Sequence, residues 1–147
     1  MKYITFALVL SLFVSCSSDD EKDYVTLNDQ EITEYIAKNN LNAKKSSTGL
    51  YYVIEEAGTG TQPNAASNVT VAYKGYLTDG TVFDESDSYK TDLVNVIPGW
   101  REGIAYFKEG GRGKLLIPSH LAYRNESVGT IPPYAVLVFD INLISVN

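Results

Sequence analysis

The chain has 147 residues, 44% hydrophobic and 20% charged, which suits one packed domain and excludes a globally disordered chain. Its formal charge of −6 excludes a general attraction for nucleic acid. A single cysteine excludes an internal disulfide, and a single histidine argues against a zinc centre.

Residues 1–15 read as a lipoprotein signal peptide. Lys2 supplies one positive charge, and residues 4–14 are almost wholly apolar. A helix of that length rises only about 16 Å, against a bilayer core of about 30 Å, so a membrane span is the poorer reading. Phe13-Val-Ser-Cys16 resembles a bacterial lipobox, with Phe13 where leucine is usual. Cys16 is therefore the expected lipid attachment site; an ordinary signal peptide with a chance cysteine is the plainer alternative. The anchor implies the cell envelope, on a bacterial membrane, with the outer membrane's periplasmic or surface face as the expected site. Residues 16–27 are small, polar and acidic after Cys16 and read as a flexible tether. Two roles stand for it: a plain solvated linker, or a surface-export signal.

Residues 28–47 are expected to form a short helical arm and a linker. Asn28 and Glu31 have the spacing of a capped helix start. Ile32, Tyr35 and Ile36 share one face at helical spacing, and Asn39 and Asn40 end the pattern. So short a helix needs a surface to pack on. Docking on its own domain and dimerisation through the arm, hence a monomer or a dimer, are both open.

From residue 48 to 147 the pattern becomes that of strands. Residues 50–55 read as the first strand. In the next, Val69, Val71 and Tyr73 alternate on one face. Asp79-Gly80 predicts a tight hairpin turn in which both central residues accept positive φ, leading into Val82, Phe83 and Asp84. Trp100, Ile104 and Phe107 have helical spacing behind Pro98, and Gly110-Gly111 closes that segment. Residues 113–118 and 135–146 are the last strands, with Leu137, Phe139, Ile141 and Leu143 alternating inward. Strands with one short helix and no βαβ repeat give an α+β fold: an antiparallel sheet wrapped around that helix, preceded by the helical arm.

Four segments carry a resemblance. They are Tyr73-Lys-Gly-Tyr-Leu-Thr-Asp-Gly-Thr-Val-Phe-Asp84, Val96-Ile-Pro-Gly-Trp100, Ile117-Pro-Ser-His-Leu-Ala-Tyr123 and Ile131-Pro-Pro-Tyr-Ala-Val-Leu-Val-Phe-Asp140. In order and spacing they resemble the FKBP family of peptidyl-prolyl cis–trans isomerases. Singly, each aromatic residue reads as core; together, at the family's spacing, they read as a pocket for proline. The resemblance implies aromatic walls from Tyr73, Phe83 and Phe139, a floor from Trp100, and a rim from Val96 and Ile97. It implies that the Ile97 backbone N–H binds a substrate carbonyl and that Ile131 makes an apolar contact in the loop above. Asp84 and Tyr123 are the implied catalytic groups, without metal or cofactor. The implied partners are proline-containing polypeptides, among them exported proteins during folding, and macrolide inhibitors. The competing function is a chaperone or adaptor that binds proline segments with little turnover.

The chain departs from the family in two places. The segment 89–95, before Val96, lacks the usual phenylalanine on the far lip, and Tyr89 is the residue available to replace it. Arg124 follows Tyr123 where glycine is common, so the loop 124–129 is expected to bend differently.

Overall fold

The computed structural model describes the backbone of residues 17–147 and the side chains from residue 22 onward. The expected signal peptide, residues 1–15, and Cys16 fall outside the described residues. Six strands, β1 (Lys44–Lys45), β2 (Tyr51–Glu56), β3 (Asn68–Tyr76), β4 (Val82–Asp92), β5 (Arg112–Ile117) and β6 (Leu137–Val146), form one sheet in the order β1-β2-β5-β6-β3-β4. Every pairing is antiparallel. Among the described residues two α-helices accompany the sheet: α1 (Ser17–Lys38) and α2 (Pro98–Gly103), the latter extended by a 3-10 turn over Ile104–Tyr106.

The period-two pattern sorts side chains onto two faces. On one face Val69, Val71, Leu115, Ile117, Leu137, Phe139, Ile141 and Leu143 cluster with Trp100, Ile104 and Phe107 from the α2 segment. Fully burying such a side chain contributes about 1.5–3 kcal/mol, so this cluster fixes α2 across the sheet. The other face holds Tyr51, Val53, Leu116, Val136 and Val138, covered by Ile32 of α1 with Tyr35 and Ile36 beside it. The arm thus docks on its own domain. Polar contacts add to the docking: the Tyr51 hydroxyl donates to Asp29 Oδ1 at 2.9 Å, and Lys45 Nζ lies 2.9 Å from the same oxygen.

Four expectations need correction. Helix α1 starts at Ser17, so the backbone after Cys16 is helical where a tether was expected. Asn28 is accordingly not a cap but a mid-helix residue with 2% exposure. The Asp79-Gly80 turn has positive φ only at Gly80, at 92°. Gly80 N–H donates to Leu77 O at 2.9 Å, so the connection is a type I turn followed by one left-handed glycine. Strand β4 continues to Asp92, through a polar and exposed stretch that gave no period-two signal. The end of α1 is as expected: Asn40 lies beyond Lys38 in the left-handed conformation that closes helices, at φ 52°.

Candidate active site

Where β3, β4, β6 and α2 meet, the rings do not close up. They leave an open cavity of about 430 Å³. Trp100, 4% exposed in the first turns of α2, stands against the sheet. Its ring meets Tyr73 edge-on at 4.9 Å and 86°, and Phe139 at 5.3 Å and 81°. Phe83 meets Phe139 at 5.5 Å and 86°. Edge-to-face pairs of this kind contribute about 0.5–1.5 kcal/mol each beyond burial, and they fix ring planes so that the walls cannot fold into the hollow.

The backbone makes those contacts possible at Gly75. It pairs with Asp84 on β4 and with Phe139 on β6. A Cβ there would lie 2.6 Å from the Phe83 ring and 2.8 Å from the Phe139 ring. Any side chain at this position would drive the two rings apart. The sequence carried a signal for this, a glycine inside a strand pattern, which marks close approach of neighbours.

The polar groups sit at one edge. The Tyr73 hydroxyl donates to Asp84 Oδ2 at 2.6 Å. Burial raises the Tyr73 hydroxyl's pKa far above its ordinary value, helped by that bond, by the Asp84 charge and by nearby Tyr89 and Tyr123. Tyr123 is shifted the same way, first by burial, then by the charge of Asp84 and by Tyr89. Both hydroxyls therefore stay protonated as donors. Ile97 is the residue before α2, where backbone N–H groups have no intrahelical acceptor. The Trp100 Nε1–H is buried with no acceptor among the described residues.

Every pocket residue named from the sequence lies on this one cavity: Tyr73, Phe83, Asp84, Val96, Ile97, Trp100, Tyr123, Ile131 and Phe139. Tyr89 lines it too, meeting Tyr73 edge-on at 5.8 Å and Trp100 at 6.4 Å. The far lip is thus aromatic despite the missing phenylalanine. Arg124 adopts the left-handed conformation that a glycine takes readily, at φ 54°. Asn95, Val128, Gly129 and Thr130 complete the lining; sequence reasoning gave them no place because loop residues carry no periodicity. His120 is away from the cavity lining, with Nε2 2.8 Å from Thr48 O.

This geometry agrees with what the chain resembles. The family of FKBP-type peptidyl-prolyl cis-trans isomerases matches residues 59–144. The chain belongs to that family. It is 42% identical over 133 residues to the FKBP-type peptidyl-prolyl cis-trans isomerase FkpA of Aeromonas hydrophila, covering 86% of this chain and 49% of that one. It is 46% identical over 122 residues to FkpA of Escherichia coli strain K12, covering 80% and 45%. The chain thus spans about half the length of the curated relatives it matches. Among solved structures, FkpA from Escherichia coli aligns with TM-score 0.74 at 40% identity, covering 88% of this chain and 64% of that one. A peptidyl-prolyl cis-trans isomerase from Pseudomonas syringae pv. tomato aligns with TM-score 0.76 at 33% identity, covering 86% and 95%.

Proposed function

We propose that this protein is a peptidyl-prolyl cis–trans isomerase that turns X–Pro bonds in other polypeptides. The observation that carries the reading is the convergence of Tyr73, Phe83, Trp100 and Phe139 on one open cavity, with Asp84 and Tyr123 at its polar edge. An X–Pro bond resists rotation by a barrier of about 18–20 kcal/mol, because turning it breaks amide resonance. No covalent intermediate is needed. Apolar walls disfavour the charge-separated resonance form and hold the proline ring while the preceding carbonyl swings. Donors that fit the twisted amide better than either planar form lower the barrier further. A gain of about 4–7 kcal/mol corresponds to roughly 10³–10⁵-fold acceleration.

In this division of labour Trp100, Phe83, Phe139 and Ile131 hold the ring, and the Ile97 N–H and Tyr123 hydroxyl bind the flanking backbone. Asp84 sets the polar edge through its bond with Tyr73. Macrolide inhibitors, which offer an amide and an apolar ring to the same hollow, fall within this reading. So does placement in the cell envelope through an acylated Cys16, where exported chains meet slow proline steps; the apolar run before Cys16 supports it. Mass spectrometry of the mature N-terminus checks the anchor, with an acylated Cys16 expected.

A refolding assay on a substrate limited by proline isomerisation tests the activity. The wild-type protein is expected to accelerate refolding catalytically at substoichiometric amounts. Correctly folded protein that binds the substrate and leaves the rate unchanged would refute turnover.

A further inference from the structure

The loop above the cavity, residues 125–133, is flanked by non-glycine residues in the left-handed region: Arg124 at φ 54° and Tyr134 at φ 58°. Side chains other than glycine seldom sit there, and they persist only where surrounding contacts over-determine them. Here a closed ring of hydrogen bonds does so. The Arg124 N–H donates to Ser119 O at 2.9 Å, and the Tyr134 N–H donates to Arg124 O at 2.7 Å. Asn28 closes the ring from helix α1. Its Oδ1 accepts the Ser119 backbone N–H at 2.9 Å and the Ser119 hydroxyl, and its Nδ2 donates to Tyr134 O at 3.1 Å. Tyr24, one turn earlier, stacks flat on Tyr134 at 3.8 Å and 2°.

The chemistry calls for an amide. One planar side chain must accept at one end and donate at the other, which neither a carboxylate nor an alkyl group can do. The segment so clasped holds Tyr123 and Ile131, and Val128, Gly129 and Thr130 besides, all on the cavity. Residue 28 lies outside the stretch 59–144 that defines the family match.

We propose that Asn28 is a positioning residue for the isomerase reaction: from helix α1 it locks the base of the loop that places Tyr123 and Ile131 over the cavity. The inference rests on the isomerase reading above. Helix α1 thereby belongs to the machinery of the site without touching substrate.

The test compares Asn28→Ala with Ile32→Val in the full chain. Ile32→Val trims the apolar contact of the same helix and leaves the ring of hydrogen bonds alone. Turnover is read by NMR exchange on a short prolyl peptide, and loop geometry by the backbone amide shifts of residues 119–134. Asn28→Ala is expected to lower kcat/KM about tenfold, with most of the loss in kcat, the scale of a sub-ångström misplacement. Its loop amides shift, while Ile32→Val keeps wild-type turnover within about twofold and wild-type loop shifts. Wild-type loop shifts in Asn28→Ala, or the same losses in Ile32→Val, would overturn the proposal. Should Asn28→Ala fail to fold, Asn28→Asp keeps the acceptor for Ser119 and removes the donor to Tyr134. Shifted amides near Tyr134 with reduced turnover then support the clamp, and an unchanged loop overturns it. A wild-type protein without turnover would end the isomerase reading, and the loop shifts would still decide the clamp.

Discussion

Two tyrosine–aspartate hydrogen bonds leave strand β3 three residues apart, and they end on opposite faces of the sheet. Tyr73 donates to Asp84 at 2.6 Å, and Tyr76 donates to Asp140 at 2.8 Å. In both, burial is the first cause that raises the hydroxyl's pKa and the aspartate bond the second. Their surroundings differ. Asp140 also takes the Lys114 ammonium, which in turn donates to the Tyr76 hydroxyl at 3.2 Å, so that pair closes into a compact triad. It sits where Tyr76 packs against the cluster that α1 covers. Asp84 lies at the mouth of an open cavity, with Tyr123 and Tyr89 beside it. The same pair of side chains is therefore tied by a lysine into a triad beside the covered cluster in one place, and in the other, among the described residues, stands without a lysine at the edge of the aromatic cavity.

Mutating the two carboxylates separates the two settings. Asp84→Val is expected to lower kcat/KM by about 10- to 100-fold, the scale of losing one preorganised polar contact to the transition state. Its urea midpoint should stay near wild type, because Asp84 is exposed. Unchanged turnover in that variant would remove Asp84 from the mechanism. Gly75→Ala should come next, because the added carbon meets both the Phe83 and Phe139 rings. We expect a stability loss of about 1–3 kcal/mol from overpacking, with turnover reduced as the rings part. A fully active, fully stable Gly75→Ala protein would contradict the claim that ring contact shapes the pocket. Asp140→Val removes the carboxylate to which both Lys114 and Tyr76 donate, leaving only the bond from Lys114 to the Tyr76 hydroxyl. It should cost about 1–2 kcal/mol in urea unfolding and leave kcat/KM within about twofold. A large loss of turnover there would mean that the two faces are not separable.

The smallest effect is that of pH. A tyrosine raised in the folded state keeps its proton while the unfolded chain loses its own near pH 10. The stabilisation is therefore fully present below about pH 10 and declines as pH rises above it. For Tyr73 and Tyr123 this predicts turnover that does not fall as pH approaches 10, and stability that declines only beyond it. Absorbance titration of tyrosinate beside the rate profile checks both. A turnover loss centred near pH 8 would contradict the assignment.

Much of the site was legible because pockets in strands inherit period two. Tyr73 and Phe139 lie on alternating patterns, Phe83 follows the Asp79-Gly80 turn, and Trp100 lies on a short helix marked by Pro98. Whether such rings fill a core or wall a cavity was not legible from pattern alone, since Leu137, Phe139 and Ile141 alternate identically while only Phe139 reaches the opening. The order and spacing of the four motifs decided it. Asn28 was misread for a physical reason: a polar residue with Glu31 three positions on satisfies the local rule for a helix start. Its actual partners, Ser119 and Tyr134, lie about a hundred residues away in sequence. Local chemistry cannot announce such a contact. The exposed part of β4 was missed likewise, because its pairing with β3 comes from the hairpin and not from an apolar face.

The account stands on rotation of a prolyl bond inside the aromatic cavity. The most direct measurement is two-dimensional NMR exchange on a prolyl peptide, with simultaneous mapping of the protein's own signals. The account predicts cis–trans exchange raised far above the uncatalysed rate by substoichiometric protein, with shifts at Trp100, Tyr123 and Phe139. Exchange at the uncatalysed rate, or a bound peptide that leaves those three signals unmoved, would contradict it.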